Sequence, residues 1–274
     1  MLCYYPCVHC INFGKISGTG RVGGIVGSIS LAHVKSCINH GVIIGNNTVG
    51  GIAGFGNCAD CYSTASITGE STVGGIAGSL NIGTVTNCYN IGNINCTSDD
   101  GLRGAIVGSD GAVWDKFTLK GCYYLKTASV NASLYGCGGV TSSELEPGGT
   151  CAKSAAELKK QETYEDWDFY ETWRIDSQYN DGYPYLAWER VSVNGEADGD
   201  DLTYTVRYCP ANALLIAARY DTTGRMTYAH TVALPTGDSH DTIAMGGSGT
   251  TYKLMLVDKT SFAPLCAAWD SSKG

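Results

Sequence analysis

The chain has 274 residues, 43% hydrophobic and only 16% charged, with net charge −8, 37 glycines, six prolines and 13 cysteines. That length makes one large domain or two ordinary ones, and glycine at nearly twice the usual ~7% with few prolines excludes collagen-like and disordered chains. No basic stripe offers itself to nucleic acid, and no run approaches the ~20 apolar residues of a membrane span.

The charge is unevenly spread. Between Met1 and Ser98 the only acids are Asp60 and Glu70, and the only bases are Lys15, Arg21 and Lys35. Met1 is followed by Leu-Cys-Tyr-Tyr-Pro-Cys, without the basic region or cleavage site of a secretory leader. Alone this points to the cytoplasm, where cysteines stay reduced. The repeat that follows suggests instead a chain starting in mid-array, as a fragment of something longer.

Four segments align: CINFGKISGTGRVGGIVG from Cys10, CINHGVIIGNNTVGGIAG from Cys37, CYSTASITGESTVGGIAG from Cys61 and CYNIGNINCTSDDGLRGAIVG from Cys88. A fifth, CYYLKT from Cys122, keeps only its head. The starts lie 27, 24, 27 and 34 residues apart. Ile16, Ile43, Ile67 and Ile94 share one slot; Val22, Val49 and Val73 share another and open V-G-G-I-x-G. The fourth copy is longer and reaches that slot at Leu102. Such a period, with short apolar stretches and glycine corners, suits one coil of a parallel β-solenoid: a coil too small to bury its own apolar face must stack on its neighbours. The V-G-G stretch predicts a strand and its corner, where glycine allows positive φ and close approach. Asn12, Asn39 and Asn90 predict an amide ladder bonded up and down the stack.

Two C-x-x-C pairs, Cys7/Cys10 and Cys58/Cys61, raise zinc and dithiol chemistry. The slot three residues before each ladder cysteine holds Cys7, Val34, Cys58, Val85 and Leu119, an apolar core position in which cysteine serves as a small hydrophobe. The two pairs fall two coils apart, roughly 10 Å, too far to share one ion. Stacked cysteines hold their Cβ atoms near 4.8 Å, beyond the ~3.8 Å of a disulfide. Only Cys3, Cys7, His9 and Cys10 form a cluster of metal-ligand type, and the expectation is a thiol ladder without a metal or cofactor.

The repeats resemble the GLUG motif, the glycine-rich V-G-G-[IL]-x-G repeat of large bacterial surface proteins and of some M26-type immunoglobulin A peptidases. The resemblance covers roughly residues 7–125. It implies a solenoid used as stalk or adhesion surface, outside the cell or on its wall, with a host or environmental glycan or surface protein as partner.

From Gly136 the composition changes. T-S-S-E at 141–144 and S-A-A-E at 154–157 have capping-box spacing, the second opening a short helix AAELKKQETY. WDFYETWRIDSQYNDGYPYLAW follows, with Trp167, Phe169, Trp173, Ile175, Tyr183, Tyr185 and Leu186. It resembles the segment that closes GLUG arrays, and a cap over the solenoid's open end is its expected role, with Trp173 and Tyr185 against that opening. A sugar-stacking platform is the alternative. Residues 189–270 carry five β-rich runs, LTYTVRY, ALLIAARYD, MTYAHTVAL, DTIAM and YKLMLVD, between turn clusters, and predict a small antiparallel sandwich resembling immunoglobulin-like modules. Cys209 and Cys266 are candidates for a bridge, and the DGDD run at 198–201 for a calcium site or an acidic turn. The expected organisation is a repeat solenoid over 1–135, a closing segment over 136–188 and a sandwich over 189–274.

Solenoid enzymes that cut polysaccharides cluster carboxylates or bases on one face. Here Asp60 and Glu70 fall in different parts of their coils, and His9, His33, His40, His230 and His240 never form H-E-x-x-H. Asp99, Asp100, Asp110 and Asp115 make the one local acidic group, read as a solvated loop. The expected function is non-catalytic, the chain a monomeric fragment of a surface or secreted protein. The alternative is an accessory region of a larger secreted peptidase or glycan-degrading enzyme.

Overall fold

The computed structural model describes residues 6–80, 83–109, 117–126, 136–138, 149–247 and 251–272. Two compact units divide the chain: Met1–Phe169 with Ile175–Pro184, and Tyr170–Arg174 with Tyr185–Gly274.

The first unit is a parallel β-solenoid of about four turns. Each coil contributes short strands to four parallel sheets, and the repeat slots become rungs. Ile16 pairs with Ile43, Ile43 with Ile67 and Ile67 with Ile94. In a second sheet Ile11, Ile38, Tyr62, Tyr89 and Tyr123 stack, and Cys151 of strand Thr150–Lys153 continues the row in register. Stacking thus runs past residue 135, where the sequence pattern stops: Gly136–Gly138 also join it, with Cys137 bridged to Val107. The fifth copy keeps backbone pairing after losing its motif, because the ladder needs N–H and C=O groups rather than particular side chains.

The V-G-G corner obeys a different constraint from the one expected. Its glycines are absent from the positive-φ residues; they are small because backbone passes against backbone. A Cβ on Gly74 would fall on the Ala77 carbonyl oxygen and lie 2.5 Å from the Gly108 nitrogen. Left-handed backbone recurs instead just before the ladder cysteines, at His9, Ser36, Asp60, Asn87 and Gly121, with φ of 54°, 51°, 52°, 51° and 59°. The glycine slot also sets the register of the fourth copy. Gly74 pairs with Gly104, so Arg103 takes the valine position opposite Val73, and Leu102 lies opposite Thr72.

The amide row is mostly local. Asn39 and Asn90 each close a turn on the residue two ahead, Nδ2 donating to the Gly41 and Gly92 carbonyls at 3.0 Å. Asn12 does the same to Gly14 and sends one bond up the stack, to Asn39 Oδ1 at 2.7 Å. Ser63 interrupts the row, its hydroxyl accepting from the Ala65 N–H.

After the solenoid, Ser154 caps helix Ala155–Leu158 with the expected box: its N–H donates to Glu157 Oε2 at 2.8 Å, and the Glu157 N–H returns to Ser154 Oγ at 3.3 Å. The other box, at 141–144, lies outside the described residues. Tyr164 and Trp167 then pack edge to face on Tyr123 and tilted against each other, Phe169 stacks on Trp167, and Trp167 Nε1 donates to the Gly121 carbonyl at 2.9 Å. Tyr89 reaches the same segment, its hydroxyl donating to the Pro184 carbonyl at 2.6 Å. Trp173 and Tyr185, expected against the solenoid's opening, belong to the second unit, where Trp173–Arg174 and Tyr185–Leu186 form a two-stranded antiparallel pair.

The second unit is a pair of antiparallel sheets. One orders Ser192–Asp198, Asp201–Cys209 and Gly237–Ala244; the other orders Met226–Ala233, Ala213–Tyr220, Thr251–Asp258 and Trp269–Asp270. Alternate residues meet in one core, Val193, Leu202, Tyr204 and Val206 from the first sheet with Leu215, Ala217, Leu254 and Leu256 from the second. The acidic run at 198–201 is a hairpin turn with Gly199 at φ 60°. Cys209 and Cys266 are free thiols.

Candidate functional site

Among the described residues, side chains of metal-ligand type gather at one place, between the first two coils of the solenoid. The Sγ atoms of Cys7, Cys10 and Cys37 lie within 4.8 Å of one another, and Cys7 and Cys10 are 3.6 Å apart. They stand at the end of the cysteine row that the repeat builds. The left-handed residue turns each coil, and the N–H of the following cysteine donates to the sulfur one coil on: Cys10 to Cys37 at 3.5 Å, Cys37 to Cys61 and Cys61 to Cys88 at 3.4 Å. Each thiol donates in turn to a carbonyl two residues before it, Cys37 to Lys35 at 3.2 Å, Cys61 to Ala59 at 3.1 Å and Cys88 to Thr86 at 3.2 Å.

The core reading of the C-x-x-C slots fits their burial. Val34, Cys58, Cys61, Val85 and Cys88 are fully buried in one apolar cluster, with Leu119 and Cys122 nearly so. What the pattern did not disclose is the polar duty of the ladder cysteines Cys37, Cys61 and Cys88, each a buried acceptor for the backbone N–H of the cysteine one coil before. Burial pushes Cys88 and Cys122 up to about 12, and lifts Cys58 and Cys61 well above the ordinary thiol value. Cys37 is raised first by its hydrogen bond with Cys61 and then by burial. Burial, reinforced by the contact with Cys10, holds Cys7 at about 12. The row is therefore protonated at neutral pH, and its sulfurs are not activated nucleophiles.

The acidic residues stay apart. Asp60 precedes a ladder cysteine and sits 3.8 Å from Lys35 Nζ, with Asn87 Nδ2 donating to it at 3.2 Å. Glu70 lies in the turn between strands Ile67–Gly69 and Thr72–Gly74, where it accepts from Asn46 Nδ2 at 3.0 Å. Asp99 and Asp100 occupy the turn after Ile94–Cys96; Asp110 and Asp115 lie outside the described residues. His40 belongs to an aromatic row, stacked on Phe13 at 5.2 Å and bonded through Nδ1 to Thr64 Oγ1 at 2.8 Å. His240 is on the second unit, bonded to Thr205.

The solenoid's outward rows are mainly hydroxyl, amide and aliphatic. One rung series presents Ser17, Ile44, Thr68 and Asn95, and the next presents Arg21, Thr48, Thr72 and Leu102. No protein-family model matches the chain, and no curated protein matches it.

Of the cluster foreseen in the sequence, Cys7 and Cys10 are together, His9 holds the left-handed corner between them and Cys3 lies outside the described residues. Cys37 was missed as a companion. Its signal was present in the 27-residue spacing from Cys10, which puts it one coil above.

Proposed function

We propose that the protein is a non-catalytic binding or stalk region of a bacterial surface or secreted protein, located outside the cell or on its wall, and that the solenoid's sides recognise an extended glycan or a surface protein. The observation that carries this reading is the in-register stack of hydroxyl, amide and aliphatic rungs with Arg21 as its one charge, Ser17–Ile44–Thr68–Asn95 beside Arg21–Thr48–Thr72–Leu102. Rungs recurring every ~4.8 Å along one side suit a long, repetitive ligand better than a compact substrate. The resemblance of the V-G-G-I-x-G copies to GLUG repeats supports the same assignment, as does the resemblance of the β-rich runs after residue 189 to immunoglobulin-like modules.

The test is retention of mucin and plant polysaccharides on the immobilised chain. Binding is expected to fall at least ~10-fold, a loss of about 1.4 kcal/mol, in a Thr68→Lys/Thr72→Lys double variant with an unchanged circular dichroism spectrum. Retention of none of these polymers, or equal retention by the variant, refutes a glycan ligand on this face. The accessory-region reading makes a separate claim: turnover of polygalacturonate, mucin or immunoglobulin A that Asp99→Ala abolishes would replace the binding reading with an enzymatic one.

A further inference from the structure

We propose that Cys7, Cys10 and Cys37 form a binding site for a thiophilic divalent cation, zinc, between the first two coils of the solenoid. Three thiolates are a soft donor set that selects zinc over calcium or magnesium. Zn–S bonds of about 2.3 Å arranged tetrahedrally place sulfurs about 3.8 Å apart. Cys7 and Cys10 already stand at 3.6 Å, and Cys37 closes the triangle within 4.8 Å, so small side-chain rotations complete it.

The scaffold around the sulfurs suits a thiolate. The Cys10 N–H points at Cys37 Sγ from 3.5 Å, a bond that strengthens when the sulfur takes a negative charge. What Cys37 gives up is its donation to the carbonyls of Lys35 and Cys7, at 3.2 and 3.5 Å. Binding exchanges protons only. One Zn²⁺ and three thiols give a tris-thiolate complex of net charge −1 and three protons released to the buffer, with no oxidant or reductant. Water completes the fourth position, within reach because Cys7 and Cys10 are partly exposed.

The repeat supplies its own control. Cys58, Cys61 and Cys88 occupy the same three slots two coils away, since Cys7 pairs with Val34 and Val34 with Cys58. Their sulfurs do not close to the same spacing: Cys58 Sγ turns to the Gly56 carbonyl at 4.0 Å, and all three residues are fully buried. The first coil therefore differs from its equivalent in access and convergence, not in residue type. The lateral surface assigned above to ligand binding plays no part in this site.

The experiment uses the full chain, reduced and stripped of metal, titrated with Co²⁺ and then Zn²⁺. Sulfur-to-cobalt charge-transfer absorption is expected to saturate at one ion per chain and to vanish on zinc addition, with proton release in a weakly buffered solution. Cys7→Val puts in the residue that two other coils carry in this slot, Val34 and Val85, so its circular dichroism should match the parent. Its affinity should nevertheless fall at least ~100-fold, about one ligand's share of a structural zinc site. Cys58→Val should bind as the parent does. Absence of the charge-transfer band, parental affinity in Cys7→Val, or equal loss in Cys58→Val would overturn the proposal.

Discussion

Cys58→Val and Cys61→Val, three residues apart in one C-x-x-C pair, should differ sharply in cost. Cys58 Sγ has only a distant approach to the Gly56 carbonyl at 4.0 Å, and its neighbours in the rung are Val34 and Val85. A volume-conserving apolar swap there costs less than about 1.5 kcal/mol. Cys61 Sγ instead accepts the N–H of Cys37, itself fully buried, at 3.4 Å. Valine leaves that donor without an acceptor, a penalty of about 1–3 kcal/mol. Sulfur is a weak acceptor, which puts the extra cost at about 1–2 kcal/mol. At about 2–4 °C per kcal/mol for a unit of this size, Cys61→Val should melt about 2–8 °C below Cys58→Val. Amide exchange localises the effect: the Cys37 N–H should exchange about 5–30 times faster in Cys61→Val than in Cys58→Val. Equal melting temperatures with unchanged exchange at Cys37 would show that the sulfur row is packing alone.

Gly74→Ala should cost more than about 4 kcal/mol, because the new Cβ meets the Ala77 carbonyl and the Gly108 nitrogen, whereas Gly20→Ala, with nothing within 4 Å, should be near neutral. Similar urea midpoints for the two would refute the close-approach account of the repeat glycines. Trp167→Ala should lower the stability of the first unit by about 3–5 kcal/mol, since it removes the ring packed on Tyr123 and Tyr164 and the bond to Gly121; an unchanged urea midpoint would count against that packing. Cys88 and Cys122 are raised from 9.0 to about 12 by burial, so above pH 9 the unfolded chain releases protons that the folded one keeps. Their contribution is complete below pH 9 and is lost as pH climbs toward 12. The slope of stability against pH in that window should be shallower in Cys122→Val than in the parent, and an identical slope would refute the assignment.

The solenoid, its period and its rungs are legible in the chain's order of residues, because stacked coils force equivalent residues into one environment and so write themselves as a repeat. Ile16, Ile43, Ile67 and Ile94 were legible for that reason, as were the capping box at Ser154 and the alternating strands of the second unit. Features that depend on backbone rather than side-chain chemistry emerge only in the folded stack. Gly136–Gly138 and Thr150–Lys153 join the ladder without any motif, since their N–H and C=O groups suffice. Arg103 holds the valine slot because Gly104 must hold the glycine slot, a constraint of close approach that alignment by hydrophobicity overlooks. The left-handed corner was half visible in Asp60, Asn87 and Gly121 but hidden in His9 and Ser36, which adopt it only because the coil demands it. The trio of Cys7, Cys10 and Cys37 is the sharpest case: two members are neighbours in the chain, and the third arrives only when one coil is laid on the next.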